Sequence, residues 1–217
     1  MSRALNRSSF VDAALAVIAE VGVERLSMRR VASQLGVSAM AMYKHFTNKD
    51  ELLAAAFEEF IARADVLPDT QLDWDQWLEK LAINMYNALS ADMSWVPILG
   101  SLRLGGNAIA VTDSFVNKLG AAGFGAEVSV RAYMAMIQLV VGAVCMRASL
   151  QAEVGREGRR KAVVSELSPI TRSYLQNADR QRLAIAPALE AVVSDEPISM
   201  GLPLLISGLR QQLAAAD

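Results

Sequence analysis

Apolar residues near the start of the chain recur at helical spacing. Asn6 is a suitable N-cap before them and Gly22 a suitable stop after them. Five of these apolar residues fall on one face of a helix, namely Phe10, Ala14, Val17, Ile18 and Val21. The pattern therefore predicts a first helix over residues 7–21.

The residues that follow predict two short helices joined by a tight turn. Ser27 is the expected N-cap of the second helix, which ends at Gly36 with a backbone that favours positive φ. Ser38 then caps a third helix that runs from Ala39 to about Phe46. Two short helices joined by so tight a turn cross steeply, which is the geometry of a helix-turn-helix.

Helical periodicity continues through the rest of the chain. Asn48 and Glu51 form a capping box for a fourth helix, about residues 49–63, which connects the N-terminal head to the remainder. Pro68 and its acidic and polar neighbours indicate a linker over residues 65–73. Further helices are predicted at about 74–91, 97–104, 107–122, 126–153 and 198–213. No alternating segment is long enough for a sheet, so we predict an all-α fold with a three-helix head (1–50) and a helical body (64–217).

Composition and charge add a difference between these two parts. Of the 217 residues, 53% are hydrophobic, which is ample for a packed core. The net charge is −2, yet residues 1–49 carry seven basic and three acidic groups, so the remainder is acidic. A basic head on an acidic body favours the approach of the head alone to phosphate.

Membrane insertion and secretion are not indicated. The apolar run 132–146 contains Gln138 and is shorter than the roughly 20 residues of a membrane helix, so we interpret it as a core helix. The N-terminal residues do not form a secretory signal, and we expect a cytoplasmic protein. Cys145, the single cysteine, is interpreted as a small buried hydrophobe that has no partner for a disulfide.

The motifs of common enzyme classes are missing from the sequence. The single histidine, His45, lies in the head, and no nucleophile in the body has a histidine partner. There is also no phosphate-binding loop, no cysteine–histidine metal cluster and no cofactor fingerprint. We therefore expect no catalytic residues, no metal and no cofactor.

Three stretches of the head carry a family pattern. Residues 26–38 read LSMRRVASQLGVS, residues 42–46 read MYKHF, and residues 48–53 read NKDELL. Over about residues 6–60 this resembles the head of tetracycline-repressor family regulators. The body is similar to the ligand domain of the same family through Trp74, Trp77, Gly105 and the long apolar helix. The resemblance implies a DNA-binding head on a ligand-binding and dimerisation domain.

The resemblance also implies a DNA-contact surface. Arg29, on the outer face of the second helix, suits a bidentate contact with guanine O6 and N7. Tyr43 and Lys49 suit phosphate, the latter beside free amides at the start of the fourth helix. Alternatively, an exposed arginine is ordinary solvated surface, Met40 a packing residue and His45 a structural one. The expected contacts are Ser27, Arg29, Ala39, Met40, Ala41, Tyr43, Lys44, His45 and Lys49.

An effector cavity is expected among the helices of the body. Its expected walls are aromatic and flexible apolar residues: Trp77, Met85, Trp95, Leu99, Phe115, Tyr133, Met136 and Ile137. The same residues could simply fill the core. The family's namesakes hold a drug–metal chelate with a histidine in this domain. Since the body has no histidine, we expect an organic, largely apolar effector that binds without a metal.

The last part of the chain is expected to form a dimer face. The helix over residues 128–146 is apolar nearly all round, which requires that both of its faces are covered. The C-terminal segment repeats the family's Gly-Leu rhythm, and Pro203 should kink that helix or move its start. The expected interface residues are Gly201, Leu205, Gly208 and Leu209.

These patterns lead to one principal hypothesis of function. The chain would be a homodimeric repressor that binds a palindromic double-stranded DNA operator and is released by a small apolar effector. Activation instead of repression is left open. The alternative is a helical adaptor that binds protein and lacks sequence-specific DNA binding.

Overall fold

The structure is a computed structural model that describes residues 6–99, 105–157, 183–185, 187–188 and 197–215. Within these ranges the regular secondary structure is entirely helical, which confirms the all-α class. Short 3-10 helices lie at Val23–Arg25 and Met93–Ile98. The α-helices are α1 (Arg7–Val21), α2 (Met28–Gln34), α3 (Ala39–Met42), α4 (Lys49–Ala64), α5 (Trp74–Ala91), α6 (Gly106–Ala121), α7 (Ala126–Glu157) and α8 (Pro197–Ala214).

Helix α1 forms the core of the head. It begins and ends where the apolar pattern predicts, and the Asn6 side chain accepts a hydrogen bond from the Ser9 amide at 2.9 Å. Gly22 terminates it with φ of 82°. Phe10 and Ile18 are fully buried against α2 and α4.

The turn between α2 and α3 has the expected geometry, but α3 is shorter than predicted. Gly36 has φ of 68°, in the left-handed region that favours glycine. Helix α3 ends at Met42 because the amides of both His45 and Phe46 bond to the Met42 carbonyl, at 2.8 and 2.9 Å, which closes the chain into a turn. Ser38 occupies the N-cap position without a side-chain hydrogen bond.

Helix α4 passes from the head into the body. Asn48 Oδ1 accepts a hydrogen bond from the Glu51 amide at 2.9 Å, as a cap should. The expected reciprocal bond is not formed, since the Glu51 carboxylate accepts from the Thr47 amide at 2.7 Å instead. Farther along α4, Arg63 pairs with Asp12 of α1. This ion pair ties the end of α4 to the first helix of the head.

Helix α7 lies at the centre of the body, where α5, α6 and α8 pack against it. Met136, Val140 and Val144 are fully buried on its inner face. The apolar stretch of α7 extends beyond the run 132–146. Residues 126–148 are long and apolar enough to cross a membrane by length and composition alone, so the prediction that the stretch is too short is wrong. Burial of one face against three helices identifies α7 as a core helix. Cys145, expected to be buried, is exposed on the other face.

Two predicted helices differ in detail. In the described part of the predicted helix 97–104, Pro97 and Ile98 belong to a 3-10 helix at Met93–Ile98, which Asp92 caps by accepting from the Ser94 amide at 3.1 Å. Residues 100–104 lie outside the described residues. Helix α8 contains Pro203 without a shift of its start, since buried Leu202 and Ile206 anchor the helix on both sides of the proline.

Candidate DNA-binding surface and effector cavity

Helix α3 presents a surface that projects away from the head. Met42 is fully buried beneath it, which fixes the orientation of the helix. Met40 is 73% exposed and Tyr43 is 53% exposed, and Lys44 is also exposed. Of the other expected contact residues on this helix, Ala39 and Ala41 are half-buried. The outward surface therefore combines a thioether, a phenol and an ammonium group.

The start of α2 flanks this surface. Arg29 is exposed there. The half-buried Ser27 caps α2 by accepting a hydrogen bond from the Arg30 amide at 3.2 Å. A hydroxyl that accepts in this way still has its own proton to donate, so the cap leaves Ser27 able to donate to a phosphate.

Lys49 and His45 are half-buried and have partners within the head. The Lys49 ammonium lies 3.5 Å from the Glu24 carbonyl, at the first turn of α4 where backbone amides lack helical partners. The half-buried His45 ring packs on Phe10 with 5.1 Å between ring centroids. Its packing role is thus visible in the structure, and its proposed place beside phosphate stays a prediction.

Sequence reasoning missed Arg7, which holds the recognition surface in place. Its guanidinium donates to the His45 carbonyl at 2.7 Å and to the Glu51 carboxylate at 3.0 Å, and it lies 4.2 Å from the centre of the Phe46 ring. Hydrogen bonding from the Thr47 amide, followed by the bond from Arg7, lowers the pKa of Glu51 below its ordinary value. These partners are far apart in the chain, so no local pattern could reveal them.

An apolar cavity of about 220 Å³ lies between α4, α5, α6 and α7. Among the described residues that line it, none carries a charged side chain, and Tyr133 contributes the polar side-chain group. Four of the eight expected residues line this cavity, namely Met85, Leu99, Tyr133 and Ile137.

The other four expected wall residues are packed elsewhere in the core. Trp77, Trp95, Phe115 and Met136 are buried but do not line the cavity. Trp95, for example, is enclosed by Phe57 and Phe60 of α4, at ring distances of 5.4 and 5.2 Å. The contribution of α4 was not foreseen, and it consists of Phe57, Phe60, Ile61 and Ala64.

Both parts of the chain match family models. Residues 10–56 match the model described as bacterial regulatory proteins, tetR family. Residues 67–213 match the model described as tetracyclin repressor-like, C-terminal domain. The chain belongs to the TetR family.

Relatives with known names agree with this assignment. This TetR-family chain is 30% identical over 209 residues to the class C tetracycline repressor protein of Escherichia coli. The matched region covers 95% of this chain and 91% of the relative. A TetR variant of Acinetobacter baumannii AYE, solved with minocycline, is 25% identical with a TM-score of 0.68 and covers 96% of this chain and 98% of the other. ActR of Streptomyces coelicolor, solved with actinorhodin, shares the fold with a TM-score of 0.81 at 21% identity, over all of both chains.

The expected dimer face of the TetR-family chain needs correction at two positions. Leu209 is only 5% exposed and faces the core of its own chain. Gly201 packs closely on Leu139 of α7. A Cβ added at Gly201 would lie only 2.5 Å from the Leu139 side chain. Leu205 is half-buried, and Gly208 faces open space.

Apolar side chains nevertheless remain exposed on these two helices. Leu204 of α8 is 74% exposed and Val130 of α7 is 49% exposed, whereas the partly exposed Met134 of α7 lines the cavity. Leu205 and Gly208 therefore stay predicted interface residues, whereas Gly201 and Leu209 pack within their own chain.

Among the described residues, no group of three or more His, Cys, Asp or Glu side chains is arranged to hold a metal ion. The described residues that line the cavity are apolar, apart from the Tyr133 hydroxyl.

Proposed function

We propose that this TetR-family protein is a homodimeric repressor that binds a palindromic operator through residues 1–50 and is released by a small apolar effector bound in the cavity between α4, α5, α6 and α7. The observation that carries the proposal is the outward surface of α3 and the turn after it, with Met40, Tyr43 and Lys44 exposed and Met42 buried. Apolar and polar side chains on a recognition helix suit thymine methyls and phosphates in a major groove.

The proposed readout combines base and phosphate contacts. Arg29 would recognise guanine, because its planar guanidinium is exposed at the start of α2. Tyr43 and Lys49 would bind phosphate, with Ser27 and His45 as neighbours. Ala39, Met40, Ala41 and Lys44 would set the operator sequence. Regulators of this family are generally non-enzymatic DNA-binding proteins, and we assign no catalytic role and place the protein with its DNA in the cytoplasm.

Dimerisation through α7 and α8 is supported by their exposed apolar side chains. Leu204 and Val130 would be costly to leave in water. Pairing of both helices with their symmetry mates would bury on the order of 2,000 Å² or more, as obligate homodimers do. Because a two-fold dimer presents two identical heads, the operator would be palindromic.

The effector is proposed to be an uncharged organic molecule. The described residues of the cavity wall carry no charged side chain, and burial of a charge against them would be strongly unfavourable. The Tyr133 hydroxyl offers one hydrogen bond. Since the single histidine lies in the head, a metal-chelated drug of the kind held by the family's namesakes is not the proposed ligand.

Selection from genomic DNA tests the proposal. The purified protein is mixed with sheared genomic fragments, and the retained fragments are sequenced. The proposal predicts enrichment of a two-fold symmetric motif with half-sites about one helical turn apart. Retention without any common motif would favour a non-specific or protein-binding head instead.

A further inference from the structure

Glu58 of α4 caps the start of α6. Its carboxylate accepts hydrogen bonds from the Gly105 amide at 2.9 Å and from the Asn107 amide at 2.6 Å. Its carbonyl accepts a third, from Asn107 Nδ2 at 3.0 Å. The first amides of a helix have no partner within it, and a negative charge is stabilised at that end. The carboxylate of α4 therefore replaces the local cap that α6 lacks.

This contact depends on a close approach of the two segments. A Cβ added at Gly105 would lie 2.6 Å from Glu58 Cδ. Such a distance is not tolerated, so any larger residue at position 105 would displace the carboxylate. The contact is thus a fitted one between the connecting helix and the first turn of α6.

The contact also lies beside the cavity. Phe57 and Phe60, which flank Glu58 on α4, line the cavity, and so do Ala108 and Val111 just after Asn107 on α6. A ligand that separates these two walls would lengthen the hydrogen bonds of Glu58. At its other end α4 is packed in the head.

We propose that Glu58 is the positioning residue that couples occupancy of the cavity to the orientation of the head. Its three hydrogen bonds hold α4 to α6. A ligand in the cavity weakens them and releases α4, which then changes the position of the head. The inference rests on the proposed effector-released repressor and names the contact through which release occurs.

The test measures how strongly a ligand changes operator affinity. The probe is the uncharged fluorescent dye N-phenylnaphthylamine, which is apolar like the cavity. The operator Kd is measured with and without saturating dye for the wild type, Glu58→Gln and Glu59→Gln. Glu59 is a matched control because it lies on the same helix and pairs with Arg63 and not with α6.

For the wild type and Glu59→Gln we expect the dye to weaken operator binding by about 5-fold or more, the usual lower range of allosteric coupling. Glu58→Gln should bind the dye with an unchanged Kd but show a ratio of operator Kd with dye to operator Kd without dye close to one. The Gly105 and Asn107 amides donate to different carboxylate oxygens, and glutamine replaces one of them with an NH2 group that cannot accept. If Glu58 had only a structural role, Glu58→Gln would melt at a lower temperature than the wild type, and its ratio of operator Kd with dye to operator Kd without dye would equal that of the wild type. That result would overturn the inference.

Two further outcomes separate this inference from the proposed function. If the dye does not bind the wild type, or binds and leaves its operator affinity unchanged, effector release itself is contradicted. If Glu58→Gln does not fold, hydrogen exchange of the Gly105 and Asn107 amides in the wild-type protein decides. Faster exchange with dye supports the coupling, and unchanged exchange overturns it.

Discussion

At the scale of single residues, Arg29 is the side chain whose removal should most directly affect operator sequence preference. Loss of a bidentate base contact costs about 1–3 kcal/mol and relaxes specificity at the contacted base pair. Arg29→Ala should therefore lose affinity for the operator and discriminate less at one base pair per half-site. Arg131→Ala, an exposed arginine of the body, is the matched control. Equal loss on every DNA sequence would contradict this role.

Lys49 should behave differently, because a phosphate contact carries no sequence information. Lys49→Ala is expected to weaken binding to all duplexes and to reduce the slope of log affinity against log salt by up to about one for each phosphate that is no longer neutralised. Lys80, exposed on α5, provides the control substitution. An unchanged slope would mean that Lys49 does not meet phosphate.

Local chemistry made some residues predictable. The caps at Asn6, Ser27 and Asn48 and the positive φ of Gly36 depend on neighbours in sequence, and the structure has each of them. Arg7 could not be predicted, since its partners His45 and Glu51 come from distant segments.

At the scale of elements, the contact between Arg7 and Glu51 joins α1, the turn after α3, and α4. The pKa of Glu51 is lowered, mainly by the Thr47 amide, so the ionised form stabilises the folded head. This stabilisation is present above the ordinary glutamate value of about 4.3 and is lost as pH falls through the lower folded-state pKa. Glu51→Gln should therefore show a smaller loss of melting temperature on acidification than the wild type.

The control for this experiment is Glu79→Gln, which removes an exposed carboxylate of α5. It should retain the acid sensitivity of the wild type. Identical acid profiles for the wild type and Glu51→Gln would show that Glu51 does not stabilise the head in its ionised form.

The bounds of long helices with a strong periodic pattern could be predicted closely, while the bounds of short helices could not. Helix α5 has the expected bounds because its apolar positions recur at helical spacing over its whole length. Helix α3 and the 3-10 helix at Met93–Ile98 depend on hydrogen bonds of individual turns, which periodicity does not register. The distinction between core and cavity wall also depends on packing: Met85 and Trp77 share α5, yet only Met85 lines the cavity.

At the scale of the whole molecule, the proposal requires a dimer. Gly208 faces open space on α8, so an arginine there should fit the single chain. In the proposed interface the same charge would be left unpaired, which is strongly destabilising. We therefore expect Gly208→Arg to fold with an unchanged helical spectrum, to be monomeric by light scattering, and to bind the operator weakly.

Gly120→Arg serves as its control, because Gly120 is an equally open glycine on α6, away from the proposed face. This variant should remain dimeric. If Gly208→Arg is also dimeric and has normal operator affinity, α8 does not form the interface.

A comparison of two duplexes tests sequence-specific DNA binding most directly. One carries the motif recovered from genomic DNA, and the other has the same composition in scrambled order. We expect the wild-type protein to bind the first duplex at least about 10³-fold more tightly at physiological salt, and both affinities to fall as salt rises. Equal affinity for the two duplexes, or no binding to either, would contradict it.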